Sequence, residues 1–548
     1  MKAIKNIMIA LSGIALLASC DMDKFFELDR PESNPWLSVD DLEYSVADPY
    51  NTLFQNPNWQ APIGIIPYYQ ELVADLSTVN PQGAYEQEAL YWYPRQMSTF
   101  DVTGQQFEKT FSILYRSVTG ATSPLTYIEE KEKKGEPVFA NMTENDKKTL
   151  ARQTGELYFM RGYTYWLISR AFVAPYDPAG GEGNNRKFIP LINRLDYSQE
   201  SARNPYMGTV KEVYDQMLSD FAKAKSLMPE DYFVRGRANK FSAAMMLMRV
   251  KWLMGDKDGA LEEADYVITK AEAGVAPFDL TEEPIVAFNR NAEQQYTVDP
   301  VSKEVMFECA FTESNQGNNV AIPLARMCKT GIYNFKSKTF DASNKLWLEG
   351  ARGSQNWQHG GWACAYWNPR LIKYIGWAVT DDPMDLTNYV PSAEALADKR
   401  FTQLHYFLKN YTDGGDKTIH EMAYNKTKWN AFWNDKYYRA PYGKYSQVPL
   451  IRLAEAYLTR ATLVLSKNAS QALGDVNKIR QRAGLTPLKN VTEADIEKER
   501  IKEFGFENGD RLLYLVAMQK TIDGQKRNPG AVYDLSLIHI SEPTRRVV

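Results

Sequence analysis

The sequence predicts a mainly helical protein with a scaffold of antiparallel helical hairpins. Apolar residues recur at helical spacing through residues 150–172 and 209–229, and the second segment is bounded by Thr209 and Pro229. Residues 238–268 have the pattern of two helices joined at Gly255-Asp256. Because each such helix exposes one apolar stripe, we expect neighbouring helices to pack these stripes against one another.

A second helical pair is predicted at residues 448–465 and 469–485. Such pairs are similar to tetratricopeptide units, although no regular period of about 34 residues repeats. Within the predicted helices, Trp166 and Trp252 follow the buried pattern, so we expect both in the core. Trp429 and Trp433 are four residues apart, which suits one face of a helix, and we expect them to be buried as well.

Residues 275–445 differ from the helical parts, because Gly, Asn, Pro and aromatic residues replace long periodic runs. Long irregular segments in compact proteins commonly carry function. Five of the twelve tryptophans lie in its middle: Trp347, Trp357, Trp362, Trp367 and Trp377. Successive tryptophans at a spacing of five share neither one helix face nor one strand face, which favours a loop.

The length and charge of the chain limit the classes of protein to which it can belong. The 548 residues, 44% of them hydrophobic, can bury a large core in one or several domains. The net charge is −4 and the basic residues are spread along the chain, so no basic stripe is available for nucleic acid. The 69 aromatic side chains, 33 Tyr, 24 Phe and 12 Trp, are typical either of recognition surfaces or of a large aromatic core.

The N-terminus predicts export and lipidation. Residues 1–19 combine Lys2 and Lys5 with an apolar run that is too short to span a bilayer as a helix. The following Cys20, after small residues, resembles the cysteine of a bacterial lipobox, so we expect cleavage before Cys20 and acylation of its thiol. Residues 20–38 would then form a lipidated tether.

The C-terminal residues 535–548 do not continue the preceding pattern. Residues 535–545 match one reading frame of a common sequencing adapter, so we interpret 535–548 as an artefact and expect the native sequence to depart near Asp534. His539 is therefore left out of functional reasoning.

Several sequence blocks, in the right order, resemble one family. Residues 448–461 (VPLIRLAEAYLTRA), 476–485 (VNKIRQRAGL) and 496–516 (IEKERIKEFGFENGDRLLYLV) are similar to the C-terminal signature of the SusD/RagB family. Upstream blocks agree, including Asp398-Lys399-Arg400-Phe401, and so does the lipobox. The chain departs from the family at Gly509-Asp510-Arg511, where Gly-His-Arg is more usual.

The resemblance implies a mainly α, SusD-like fold and a lipoprotein on the outer membrane, facing the cell exterior. Residues 39–274 would form the N-terminal helical part, and 275–534 the loop-rich region with the C-terminal helical part. Members typically sit as a lid over a SusC-like TonB-dependent transporter and capture oligosaccharides. Charged residues in the matching motifs are interpreted as scaffold, without ligand roles: Arg452, Glu455, Arg480, Arg482, Glu499 and Arg500.

Two segments combine the residue types that bind sugars. Aromatic rings can stack on the apolar faces of pyranoses, and polar groups can bond their hydroxyls. The first, residues 79–96, lies between probable helices where the family often places glycan-contacting aromatics. The candidate ligand residues are Tyr85, Tyr91, Trp92, Tyr93 and Arg95 in the first segment, and Trp357, Trp362, Tyr366, Trp367 and Asn368 in the second. For Trp357, Trp362 and Trp367, burial in the core is the alternative.

The sequence predicts neither a metal site nor a cofactor. His359 is interpreted as a loop residue before two glycines, and His405 and His420 as structural. Cys309, Cys328 and Cys364 form no CxxC pair, so we expect burial as small apolar residues, with one disulfide as the alternative.

Three other classes of function compete with glycan binding. An enzyme is not predicted, because the GxSxG, HExxH and phosphate-loop motifs are missing, although two carboxylates would suffice for a glycosidase. A peptide-binding, RagB-like uptake protein is the alternative within the binding class. An adhesive surface protein without a transporter is the third.

Overall fold

The computed structural model describes residues 36–54, 61–79, 105–196, 198–288, 302–309, 365–379, 390–411, 429–434, 436 and 448–520. In these residues the protein is mainly helical, which confirms the predicted fold class. None of the helices in the described ranges has both the length and the apolar character needed to cross a membrane.

Fifteen α-helices occur in the described ranges. They are α1 (Val39–Phe54), α2 (Pro62–Val73), α3 (Gln105–Lys133), α4 (Glu144–Phe172), α5 (Gln199–Arg203), α6 (Val210–Leu227), α7 (Lys240–Leu253), α8 (Lys257–Glu272), α9 (Pro369–Tyr374), α10 (Ala393–Ala397), α11 (Lys399–Leu404), α12 (Leu453–Val464), α13 (Ala469–Arg482), α14 (Glu493–Phe504) and α15 (Asp510–Ala517). Two 3₁₀ turns accompany them, at Glu182–Asn185 and Pro284–Phe288.

The strands of the described ranges form antiparallel pairs. They are β1 (Ser77–Val79), β2 (Lys187–Pro190), β3 (Met207–Thr209), β4 (Val305–Cys309), β5 (Ala365–Trp367), β6 (Ala378–Val379), β7 (Val390–Pro391), β8 (His405–Tyr411), β9 (Trp429–Asn434) and β10 (Val448–Arg452). The pairs are β1–β5, β2–β3, β4–β10, β6–β7 and β8–β9.

The longer helices form one row in which each packs against the next: α3, α4, α6, α7, α8, α12 and α13. Helix α8 packs directly against α12, although residues 273–452 lie between them in the chain. The aromatic-rich segment is therefore inserted into a continuous helical scaffold.

Local sequence signals explain the helix boundaries. Thr209 caps α6 in a reciprocal capping box with Glu212, as its residue type predicts. Gly255 adopts a φ of 84° at the turn between α7 and α8, a conformation that costs glycine little. Helix α4 buries residues 153–169 on all sides, with Gly162 allowing close approach to the ring of Phe221 in α6.

The predicted core tryptophans of the scaffold are confirmed, since Trp166 and Trp252 are both buried. Two predictions of helix are wrong. Residues 448–452 form strand β10, because their five buried residues lie against β4 rather than on one helix face. Trp429 and Trp433 lie in strand β9, paired with β8; a spacing of four also places residues on one strand face, so spacing alone could not separate the two structures.

The β4–β10 pair joins the inserted segment to the scaffold. Val448 is paired with Cys309, which is fully buried, as predicted for a small apolar residue. Burial raises the pKa of the Cys309 thiol well above its usual range, as does the neighbouring Glu308. Cys328 and Cys364 lie outside the described residues.

Candidate functional site

The two predicted ligand segments adjoin one small sheet. Strands β1 and β5 pair antiparallel, with Ser77 opposite Trp367, Thr78 opposite Tyr366 and Val79 opposite Ala365. Val79 is the last residue of β1 and Ala365 is the first residue of β5. The chain toward Tyr85 therefore leaves this sheet at the end where the chain from Trp362 enters it.

Asn368 fixes β5 against the end of α2. Its backbone N–H donates to the Leu76 carbonyl (2.9 Å), and its Nδ2 donates to the Asp75 carbonyl (2.8 Å). Its Oδ1 accepts from the Arg370 N–H (3.1 Å) and so caps α9. Since Asn368 is 5% exposed and its side chain has these partners, the prediction that it contacts a ligand is wrong.

Trp367 lies beneath the sheet in a buried aromatic cluster. Its ring is 5.6 Å from Trp377, 5.2 Å from His405, 5.6 Å from Phe432 and 5.3 Å from Phe506, between ring centroids. At 1% exposure it offers no face for stacking, so the prediction of ligand contact is wrong and its alternative, burial in the core, holds.

Gly505 allows this packing of Trp367. A Cβ added at Gly505 would stand 2.8 Å from the Trp367 Cζ2 and 2.8 Å from the Ile501 carbonyl oxygen, closer than real Cβ contacts. The turn after α14 and the indole therefore pack with no room for a methyl group.

His405 is structural, as predicted. Its Nδ1 is 2.9 Å from the Arg400 carbonyl oxygen, and its ring packs on Trp367, Trp377 and Phe432. Burial holds the pKa of His405 well below its usual range, and the nearby Lys436 lowers it further. The ring is therefore neutral at ordinary pH.

Of the other predicted site residues, one lies in the same sheet and the rest are not described. Tyr366 belongs to β5, paired with Thr78. The remaining candidates lie outside the described residues: Cys20, Tyr85, Tyr91, Trp92, Tyr93, Arg95, Trp357 and Trp362. His359, His420 and residues 535–548 also lie outside them.

A buried ion cluster beneath the aromatic cluster is the main feature that sequence reasoning missed. Arg452 donates to Glu507 through Nε (2.9 Å) and Nη2 (2.9 Å). Its Nη1 donates to Glu503 (3.0 Å) and to Glu304. Arg482 bonds the same Glu304 (2.6 Å). The scaffold role predicted for Arg452 and Arg482 agrees with these contacts, but their burial was not predicted.

The ion cluster extends to the residues that hold the aromatic cluster. Arg400 bonds Asp398 (2.8 Å) and Glu499 (2.7 Å), and Arg480 bonds Glu499 as well. Lys436 donates to Glu507 (2.6 Å) and to the Gly505 carbonyl (2.8 Å). Alternating acidic and basic residues in 496–511 are the sequence signal that could have revealed the cluster.

At Gly509-Asp510-Arg511, where the chain departs from the family motif, the charged side chains form ion pairs. Asp510 accepts two bonds from Arg500, at 2.9 and 2.6 Å. Arg511 bonds both carboxylate oxygens of Asp75, at 2.6 and 2.7 Å, and Glu497 at 2.6 Å. Arg511 thereby joins α15 to the segment between α2 and β1 that Asn368 also holds.

The described side chains around β1 and β5 support the two segments that adjoin this sheet. Asn368 bonds the backbone carbonyls of Asp75 and Leu76, and the rings of Trp367 and His405 are buried. Across the described part of the chain, no three His, Cys, Asp or Glu side chains are grouped as a metal ion would require.

The fold and sequence define an outer-membrane-associated class of protein. Residues 57–251 match a SusD-like family model described as "Starch-binding associating with outer membrane", and residues 303–512 match the model of the SusD family. The chain belongs to the SusD/RagB family.

Relatives and solved structures agree with this membership. The chain is 25% identical over 373 residues to the SusD-like protein P2 of Formosa agariphila, covering 66% of this chain and 62% of that protein. It is 42% identical over 67 residues to the starch-binding protein SusD of Bacteroides thetaiotaomicron, 12% of each chain. The chain thus spans less than two thirds of the length of the curated relatives it matches.

A solved structure of a SusD-like carbohydrate binding protein from Bacteroides vulgatus superposes with a TM-score of 0.61. The superposition covers 89% of this chain and 85% of that one, at 16% sequence identity. At that identity the likeness shows the shared fold.

Proposed function

We propose that the protein is a lipid-anchored, glycan-binding lipoprotein on the cell exterior that captures oligosaccharides and passes them to a SusC-like TonB-dependent transporter. The observation that carries the proposal is the β1–β5 pairing. It gives the two aromatic segments a common point of origin, so one site can draw side chains from both.

Covalent geometry limits how far the segments can diverge near the sheet. Partner residues in an antiparallel pair have Cα atoms about 4.5–5.5 Å apart, which applies to Val79 and Ala365. Trp362 precedes Ala365 by three residues, a length of chain that spans at most about 11 Å. Tyr85 follows Val79 by six residues, a span of at most about 22 Å.

The residue types fit capture of sugars without chemistry on them. Aromatic rings such as Trp92 and Trp362 can stack on pyranose faces, while Arg95 and neighbouring polar groups can bond hydroxyls. The family description names starch, and the similar structure from Bacteroides vulgatus is called a carbohydrate binding protein. Binding by a few stacked rings should be weak, roughly micromolar to millimolar, because each ordered contact must offset its own entropic cost.

The anchor and partner follow from the sequence resemblance. Acylation of Cys20 would hold the protein at the outer membrane through two or more acyl chains, at about 0.8 kcal/mol for each buried methylene. The tether predicted at residues 20–38 would end before Trp36, which is buried in the core, and would leave the folded part free to sit over a transporter. In this account the protein binds and releases its ligand unchanged, and no enzymatic step is required.

Calorimetric titration tests the proposal. The lipid-free chain, residues 21–534, would be titrated with plant, host and microbial glycans and with a panel of oligopeptides. We expect saturable binding to one glycan class, weakened by about tenfold in Trp92→Ala and in Trp362→Ala. The matched control is Tyr44→Ala, which removes an 83% exposed ring from α1 and should leave binding unchanged.

Thermal unfolding of each variant separates a binding role from a structural one. Unchanged unfolding temperature with weakened binding supports the ligand role. Binding to oligopeptides that is weakened in Trp92→Ala or Trp362→Ala, with no binding to glycans, would instead establish the RagB-like alternative. Unfolding of the Trp362→Ala variant would place that tryptophan in the core with Trp367.

A further inference from the structure

A separate cavity lies on the helical row, away from β1 and β5. It has a volume of about 540 Å³ and is formed between α6, α7 and α8. Leu218 and the buried Leu247 contribute apolar surface, and charged side chains line the rest. This volume lies within the range of known ligand sites, about 300–1,000 Å³.

The charges in the cavity are unbalanced. Three lysines and two glutamates line it, a net charge of +1. The side chain of Glu263, 8% exposed, already accepts from both Lys225 (2.6 Å) and Lys251 (3.0 Å). Lys240, the third lysine, makes no ion pair with any side chain that the structure describes. Each ammonium has three N–H donors, so the cavity keeps donors available for an anion.

Lys240 adds to the positive charge of the cavity because of its position. It is the first residue of α7, whose N-terminal N–H groups carry partial positive charge. A lysine there gains nothing from the helix dipole, and its ammonium is the group that would attract an anion, because Asn239 Oδ1 already accepts from the Phe241 and Ser242 N–H groups at this helix end. Replacing Lys240 with an acidic residue should therefore not destabilise α7.

The aromatic ring in the cavity is unsuited to stacking on a sugar. Tyr266 already stacks on Phe241, with ring centroids 5.7 Å apart and planes 13° apart. The Lys225 ammonium lies 4.3 Å from its centroid, and its hydroxyl donates to Glu230 (3.0 Å). With its ring covered and its hydroxyl engaged, Tyr266 favours a ligand that binds through charge and aliphatic contact.

We propose that this cavity binds an acidic peptide segment of a partner protein, with carboxylates at the lysines and an aliphatic side chain at Leu218 and Leu247. The site is independent of the proposed glycan site, because it is built on α6, α7 and α8 rather than beside β1 and β5.

Fluorescence polarisation with the full chain tests the proposal. The probe is a short labelled peptide of alternating Glu and Leu, compared with the same peptide carrying Gln for Glu. We expect saturable binding of the Glu peptide alone, weakened by added salt and by about tenfold in Lys240→Glu. The matched control is Lys211→Glu, an exposed lysine in the first turn of α6 that lies outside the cavity lining.

Each outcome decides the question. Loss of binding in Lys240→Glu, with unchanged thermal unfolding and with Lys211→Glu binding as wild type, supports the site. Equal binding of the Gln peptide, equal loss in both lysine variants, or no binding of the Glu peptide would overturn it. Displacement of the Glu peptide by a uronic-acid oligosaccharide but by no unlabelled acidic peptide would assign the cavity to an acidic sugar and also overturn it.

Discussion

At the scale of single residues, membership of a candidate ligand segment does not decide whether a side chain is exposed. Trp367 and Asn368 follow directly on a segment rich in candidate ligand residues, yet both are buried and hold β5 in place. The spacing of five between tryptophans predicts a loop rather than one regular element. It could not show that the last of them enters a three-residue strand, because so short a strand has no readable period.

The contact between Gly505 and Trp367 gives a prediction at this scale. Gly505→Ala should destabilise the protein by about 1–3 kcal/mol, since its Cβ would overlap the indole and the Ile501 carbonyl. Urea-induced unfolding followed by tryptophan fluorescence measures the change.

The matched control for Gly505→Ala is Gly474→Ala in α13, where an added Cβ meets nothing within 4 Å. That change should stabilise the protein by about 0.4–1 kcal/mol, because alanine has less conformational freedom to lose in forming a helix. Equal effects at the two positions would contradict the packing described for Trp367.

At the scale of elements, buried charges join the inserted segment to the strand and helices at its C-terminal side. Arg452 at the end of β10 meets Glu304 before β4 and Glu503 in α14. Removing one partner from such a cluster leaves an uncompensated buried charge, which costs about 3–5 kcal/mol. The cluster therefore favours one arrangement of these elements.

The pH dependence of stability tests the cluster. Burial alone would raise the pKa of Glu499, but Arg400, Lys502 and Arg480 outweigh it and lower this pKa to about 2. The folded pKa lies below the unfolded value of 4.5, so the stabilisation is complete above about pH 4.5 and is lost as pH falls toward 2.

Glu499→Gln should therefore be less stable than wild type by about 3–5 kcal/mol at pH 6, with the gap closing as pH falls from about 4.5 to 2. Denaturant titrations across this pH range measure it. Glu132→Gln, at an exposed position near the end of α3, should stay within about 0.5 kcal/mol of wild type throughout. A gap that is constant with pH would contradict the ion pairing of Glu499.

Some of these elements could be predicted from the sequence and others could not. Helices with caps and long apolar stripes, such as α6 and the α7–α8 hairpin, were predicted with their boundaries nearly correct. Strands β9 and β10 were predicted as helices, because their short apolar runs fit both periods and only pairing with distant strands decides between them. Pairing across more than a hundred residues, as between β4 and β10, leaves no local signal.

At the scale of the whole molecule, the helical row continues from α8 to α12 past the inserted segment. The row therefore forms a scaffold that the inserted segment does not interrupt. The composition shift at about residue 275 predicted where the long helices of the row would be interrupted. That β5 pairs with β1 could not be predicted, because the register depends on Asn368 reaching the end of α2.

The most direct test of the central claim is a calorimetric double-mutant cycle with the glycan that binds best, using Trp92→Ala, Trp362→Ala and the double variant. If both segments serve one site, each single change should weaken binding by about tenfold, and the combined loss should depart from additivity by about 0.5 kcal/mol or more. Stoichiometry and unfolding temperature should stay as in wild type. Loss of binding in one variant, with wild-type affinity in the other, would contradict a shared site at the β1–β5 sheet.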